Sequence, residues 1–284
     1  MTAERLRETL EDADRTTNEE WLASLSQRKK AELEFHDRVR DTALAAREKA
    51  DGISGIHQNS KYYQTIGLSL AYRQAWIRSY APGKTFLDYA CGDGEDTIAA
   101  AQAGAELAIG LDISRVSIEN CRRQAASVGL DKNTCFIQGD CENTALPNDS
   151  VDLVMCNGML HHLDLSYAFP ELRRILKSGG RMFAFEALDY NPLIKLYRNM
   201  TPAMRTEWES AHILSQKEVR FARHFFDVRD VRYWHLASIL ATPLRRTRVF
   251  RHALKAANAI DRVVLRIPGL RQMSWIVTFQ LMKR

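Results

Sequence analysis

The chain has 284 residues, 45% of them apolar and 26% charged, with a formal net charge of +5. That composition excludes disorder of the whole chain and is enough to bury a core. No apolar run approaches the roughly 20 residues that span a bilayer, and the charged start MTAERLRETLEDADR carries no secretory pattern, so a cytoplasmic protein is expected.

In chain order, residues 18–50 place Trp21, Leu22, Leu25, Leu33, Val39 and Leu44 at roughly helical intervals among many charges, which predicts one or two amphipathic helices. A linker, DGISGIHQNS, leads to a further helix around GLSLAYRQAWIRSYA. From Thr85 to about Leu188, short apolar runs alternate with helical patterns, the signature of βαβ units and a parallel sheet. Strands are expected at 85–90, 107–113, 133–140, 150–157 and 180–188, with helices at DTIAAAQAG, SRVSIENCRRQAASVG and YAFPELRRILKSGG. Gly104, Gly129 and Gly179 stand where helix C-caps belong. A polar helical insertion follows strand five, and RDVRYWHL and MSWIVTFQLMKR read as a sixth and seventh strand with a basic helical segment between them. The expected architecture is α/β, a doubly wound, mostly parallel seven-stranded sheet. It divides into a helical cap over 1–65, a core over 66–190, and a region over 191–284 that adds a second helical cap, a basic helix and the last strands. The five cysteines form no C-x-x-C pair, so buried, reduced thiols and no metal site are expected.

In an open parallel sheet the ligand lies beyond the carboxyl ends of the strands, beside the first βα turn. Here that turn is FLDYACGDGEDTIAAA, residues 86–101. A dinucleotide fingerprint needs a third glycine, but Gly92-Asp93-Gly94-Glu95-Asp96 runs into Thr97. The acids Asp93, Glu95 and Asp96 would also oppose a pyrophosphate, so the loop suits a cationic ligand better.

These residues resemble the class I S-adenosylmethionine-dependent methyltransferases. Their first motif, an apolar strand running into D-x-G-C-G-x-G, is matched by Asp88-Tyr89-Ala90-Cys91-Gly92-Asp93-Gly94, with Ala90 for the usual first glycine. Gly110-Leu111-Asp112-Ile113-Ser114 resembles the second motif and Gln138-Gly139-Asp140-Cys141 the third, followed by LPNDSVDLVMCNGMLHHL and ELRRILKSGGRM. The likeness covers about residues 85–188 and is strongest to small-molecule branches of the quinone-biosynthesis type. It implies S-adenosylmethionine as cofactor and S-adenosylhomocysteine as product. Gly92 and Gly94 would let the backbone approach the methionine part, with Ala90 and Cys91 beside them and Asp88 ordering the loop. Asp112 would accept the ribose hydroxyls, Asp140 the adenine amino group, Ile113 and Cys141 would pack on the ring, and Asn157 would lie near the methionine moiety.

Catalytic candidates are His161 and His162, after strand four, and Glu186, ending strand five and expected to face the crevice. His57, Tyr62 and Tyr63, before the core, and Tyr190, Tyr197, Arg198 and His212, after strand five, are candidates for the acceptor side. No N-P-P-Y or D-P-P-Y loop follows strand four, and no Pro-Cys dipeptide or acidic trio appears, so a small organic acceptor methylated at O or N is expected, and no nucleic acid. Residues 240–284 carry ten Lys/Arg against the single acid Asp261. Residues 245–267 therefore suit either a helix whose Phe250, Leu254 and Ile260 stripe packs on the domain, the favoured expectation, or peripheral contact with a membrane holding a lipid or quinone precursor. A binding protein of the same fold that does not methylate is the remaining alternative.

Overall fold

The computed structural model describes residues 2–16, 19–41, 64–201 and 205–284. Its sheet has seven strands among the described residues: β1 Thr85–Tyr89, β2 Leu107–Asp112, β3 Thr134–Gln138, β4 Val151–Asn157, β5 Leu176–Ala187, β6 Asp227–Trp234 and β7 Ile276–Met282. Their order is β3-β2-β1-β4-β5-β7-β6, with β7 antiparallel to both β5 and β6 and all other pairs parallel. The strand order reverses between β1 and β4, which opens a crevice at the carboxyl ends of those strands.

Strands β1, β2 and β3 are buried along their whole length, which is why each reads as a continuous apolar run. The pleat sends Leu87, Ile109 and Val154 to one face, in the same core cluster as Phe169 and Leu172 of a helix spanning Leu165–Ile175. Phe86, Ala108 and Leu153 face the other way, clustered with Trp76 and Ile77 of the helix Gly67–Tyr80 and Ala100 and Ala101 of Glu95–Gln102. Helices on both faces make the sheet doubly wound, as expected.

The described helices are α1 Ala3–Thr16, α2 Glu19–Ser24, α3 Gln27–Arg40, α4 Gly67–Tyr80, α5 Glu95–Gln102, α6 Arg115–Ser127, α7 Leu165–Ile175, α8 Pro192–Asn199, α9 Glu207–Ala211, α10 Gln216–Phe221 and α11 Phe250–Val264. Three differ from expectation. Helix α1 carries no apolar signal beyond Leu6 and Leu10, yet both are buried against the sheet, and Asp14 accepts from Gln138 N at 3.0 Å while pairing with Arg122 at 2.6 Å. It thereby covers the open edge of β3, where an unpaired strand otherwise recruits another chain. Helix α7 gives way directly to β5 at Leu176, so Gly179 (φ +74°) is no helix cap; it lies within β5 and donates its N–H to the Lys283 carbonyl.

The third difference is α11, whose principal neighbour is the tight helical turn Ser238–Leu244. Its one fully buried residue is Asp261, which accepts from the backbone N–H groups of Leu236, Ala237 and Ser238. The apolar stripe expected to pack on the domain is half-buried at Phe250 and Leu254 and open at Ile260, 52% exposed. A buried carboxylate capping a turn anchors the helix, leaving its apolar side uncovered. Among the described residues no helix is long and apolar enough to cross a membrane.

Candidate functional site

The turn after β1 is shaped by left-handed backbone at Ala90 (φ +64°), Gly92 (φ +51°) and Gly94 (φ +72°). A Cβ on Gly94 would stand 2.8 Å from Cys121 Sγ, and one on Gly92 would displace the Arg40 guanidinium, 2.7 Å away at Nη2; the left-handed backbone strains a side chain at either position. Ala90 occupies such a position with a Cβ, which costs about 1 kcal/mol. Beneath the turn, Asp88 Oδ2 accepts from Thr97 N at 3.0 Å and Thr97 Oγ1 at 2.9 Å, joining strand to helix. Burial, reinforced by the neighbouring Asp96 carboxylate, pushes the Asp88 pKa up to about 8.

Asp112 ends β2 with each oxygen taking one backbone donor, Gly92 N at 2.8 Å and Ser114 N at 2.9 Å. Asp140, past β3, accepts from Glu142 N at 2.9 Å. Ile113, Cys141 and Asn157 line a cavity of about 110 Å³ with both acids, and this cavity is walled by α3. Burial pushes the Cys141 thiol up, away from the reactive thiolate.

Helix α3 is the part of the site that sequence reading missed. Ser26 caps it, accepting from Lys29 N, and it lays one polar face across the strand ends. Lys29 Nζ binds Asp140 at 2.5 Å and Glu142 at 2.8 Å. Burial opposes the Lys29 charge, but these two carboxylates more than offset it and its pKa is raised. Arg28 donates to the His162 carbonyl at 2.9 Å, Asp37 accepts from Ser114 Oγ, and Arg40 pairs with Asp93 over Gly92. The helix itself was expected within 18–50, but its polar residues read as a run of alternating charges, RKKAELEFHDRVR, and such runs usually face solvent.

A second cavity of about 870 Å³ shares Arg40, Ala90, Gly92, Asn157 and Gly158 with the first and extends between α4, α8 and the 238–244 turn. His161 lines it. Its Nδ1 lies 2.8 Å from Glu186 Oε2, and its Nε2 is 3.8 Å from Glu209. Glu186 was expected to face the crevice, but it is completely buried. Its carboxylate accepts from Met159 N and Leu160 N, both at 2.8 Å, so it is committed to the loop and to His161 and cannot reach an acceptor. With Glu186 as acceptor, His161 donates through Nδ1, which leaves Nε2 on the side of Glu209.

His162 turns the other way, to Glu32 Oε2 at 2.9 Å on α3, and lines the smaller cavity. Its pKa is lowered, first by burial and then by the adjacent His161, so it donates as a neutral ring. Glu32 stays ionised: burial opposes its charge, but hydrogen bonds from His162 and Thr206, with the His36 ring close by, hold its pKa below the ordinary carboxylate value.

Of the acceptor-side candidates, Tyr197 and Arg198 line the large cavity, as do Arg73, Arg205 and Glu209, which sequence reading did not single out. Tyr190 does not; its hydroxyl accepts from Gln216 N at 3.0 Å at the start of α10. His212 does not either, since it stacks on Trp208 at 3.7 Å between ring centroids. His57, Tyr62 and Tyr63 lie outside the described residues.

Comparison with known proteins agrees with this arrangement. A methyltransferase domain profile matches residues 87–184. The chain is 30% identical over 114 residues to 27-O-demethylrifamycin SV methyltransferase of Amycolatopsis mediterranei, covering 40% of this chain and 42% of that protein. It is 30% identical over 139 residues to demethylmenaquinone methyltransferase of Clavibacter sepedonicus, covering 48% and 55%. The chain thus spans about half the length of the curated relatives it matches. A solved geranyl diphosphate C-methyltransferase from Streptomyces coelicolor A3(2) superposes with a TM-score of 0.60 at 15% identity, covering 91% of this chain and 99% of the other, which shows a shared fold. Motif order, sheet order and profile agree in likening residues 87–184 to a methyltransferase domain.

Proposed function

We propose that the chain binds S-adenosylmethionine at the carboxyl ends of β1 to β4 and transfers its methyl group to oxygen or nitrogen of a small organic acceptor in the 870 Å³ cavity. The residues present suit the cofactor. Each Asp112 oxygen has accepted only one hydrogen bond and keeps capacity for a ribose hydroxyl, and Asp140 keeps capacity beside Lys29 for an adenine amino group. Gly92 leaves the backbone bare, and Arg40 stands above it as a cation suited to the cofactor's carboxylate. When bound, the cofactor supplies an already activated methyl group. The protein's own work is to hold the acceptor in line, exclude water and take a proton.

The observation that carries this reading is the Glu186–His161 pair, whose histidine lines the larger cavity. Glu186 fixes the His161 tautomer, and Nε2, facing the acceptor cavity, takes the proton from a hydroxyl or ammonium as the methyl group arrives. His161→Gln should lower kcat by about 10²- to 10⁴-fold, the usual contribution of a positioned base, with S-adenosylhomocysteine affinity unchanged by calorimetry. Unaltered turnover would remove His161 from the chemistry, and cofactor binding with no turnover across an acceptor panel would favour a binding protein. In this reading residues 1–65 act as a helical cap, residues 191–284 supply a second helical cap, the basic helix and the last strands of the sheet, and a cytoplasmic location accords with five buried free cysteines.

Action at an anionic membrane surface is a second reading, and one observation favours it. Leu193, Leu240, Ile260 and Val263 are all more than half exposed, near the cavity mouth or on α11, among Arg246, Arg251, Lys255 and Arg262. Salt-sensitive flotation with phosphatidylserine vesicles, abolished by reversing three of these charges, would support it; no flotation would exclude it.

A further inference from the structure

The large cavity is apolar along one wall and cationic along another. Leu70, Ile239, Leu240 and Trp275 form the first; Arg198 and Arg205 stand in the second. Both guanidinium side chains are largely buried, at 11% and 9% exposure. Their counter-charges are shared and distant. Asp189 is 3.6 Å from Arg198 but is held at 2.8 Å by Lys195. Glu209 lies 3.5 Å from Arg205 and also 3.8 Å from His161 Nε2. Arg198 Nη1 donates to the Leu188 carbonyl and Arg205 Nη1 to the Thr201 carbonyl, and among the described residues neither Nη2 has a hydrogen-bond partner.

Three cations, Lys195, Arg198 and Arg205, therefore face two carboxylates, Asp189 and Glu209, and of these Arg198, Arg205 and Glu209 are largely out of water. Burial, then the neighbouring Arg205 charge, lowers the Arg198 pKa to about 10. Burial also raises the Glu209 pKa. Two like charges held together out of water are costly unless an anion joins them. Arginine offers paired donors in a fixed plane, a geometry matched by carboxylate and phosphate oxygens.

We infer that the acceptor is an amphiphilic anion whose carboxylate or phosphate is held by Arg198 and Arg205 and whose apolar body lies against Leu70, Ile239 and Trp275. This deepens, and for its placement rests on, the methyl-transfer reading above. Because Glu209 touches both Arg205 and His161, the charged group of the acceptor lies within a few atoms of the one that His161 deprotonates. A neutral isostere would leave both guanidinium groups desolvated without a partner.

Calorimetry on the full chain saturated with S-adenosylhomocysteine, using 2-naphthoate, 2-naphthyl phosphate and the neutral 2-naphthamide, tests the inference. The anionic probes should bind at least tenfold tighter than the amide, and the tighter of the two identifies the headgroup. Arg198→Gln with Arg205→Gln should erase that preference while S-adenosylhomocysteine binds as before, which also reports that the variant is folded; Arg198→Gln alone serves if the double variant does not fold. Arg198→Lys should retain part of the preference. Equal binding of naphthoate and naphthamide, a preference that survives the glutamine variants, or no binding of any probe would overturn the inference. Failure to bind S-adenosylhomocysteine would instead overturn the methyl-transfer reading, and the probe preference, measured then on the protein alone, would still decide the anion site.

Discussion

Replacing Asp112 with asparagine removes one of two acceptor oxygens at a site only 7% exposed. In the folded chain those oxygens take Gly92 N and Ser114 N, at 2.8 and 2.9 Å. Asparagine accepts through a single oxygen, so one backbone N–H loses its partner, and a bound ribose loses a charged acceptor at the same time. Each loss at a buried position costs about 1–3 kcal/mol, one appearing in stability and the other in binding. S-adenosylhomocysteine should therefore bind about 5- to 150-fold more weakly to Asp112→Asn, the same 1–3 kcal/mol expressed as an affinity. Calorimetry well below both melting midpoints separates the two effects, and a thermal melt measures the stability part. A dissociation constant within twofold of wild type, together with a lowered midpoint, would mean that Asp112 only braces the turn and that the ribose assignment is wrong.

Three further outcomes are expected. His235 is buried between Ser69 and Ser238, and burial lowers its pKa to about 4, so the unfolded chain takes up its proton first on acidification. Its contribution is complete above the unfolded value of about 6.5 and is lost as pH falls towards 4, about 3 kcal/mol in all, and denaturant midpoints at pH 7.5 and 4.5 should lose the greater part of that, about 2–3 kcal/mol, from their difference in His235→Gln. Leu10→Ala, emptying a site 1% exposed beneath α1, should cost about 2–5 kcal/mol in chemical denaturation, whereas a cost under 0.5 kcal/mol would show that α1 does not pack on the sheet. Ala90→Gly should raise stability by up to about 1 kcal/mol by relieving left-handed strain, and a clear loss in the same assay would mean that the alanine methyl is used in packing.

The central sheet was legible because its signals are local. Strands buried on both faces must be apolar throughout, as Phe86-Leu87 and Leu107-Ala108-Ile109 are, and the glycines between them answer to backbone angles that a side chain resists. The acids ending β1 and β2 stand at fixed offsets from that turn, so Asp88 and Asp112 were found through the likeness of their motifs to those of the class I methyltransferases. Glu186 was misread: the strand's end gave its place, but whether its carboxylate meets solvent or three donors depends on the 158–161 loop folding back over it.

What the sequence by itself determined is the doubly wound sheet, its first turn and the acids around it, because each depends on residues near one another in the chain. What only the tertiary structure decided is what surrounds that turn. Lys29 and Arg40 come from some fifty to a hundred residues away to meet Asp140 and Asp93, Arg198 and Arg205 meet around the second cavity, and α11 is anchored through Asp261 with its apolar side open. A polar face that ends up against other polar groups has the same pattern as one that ends up in water. The distinction is made by desolvation and pairing across distant segments, which no local periodicity encodes.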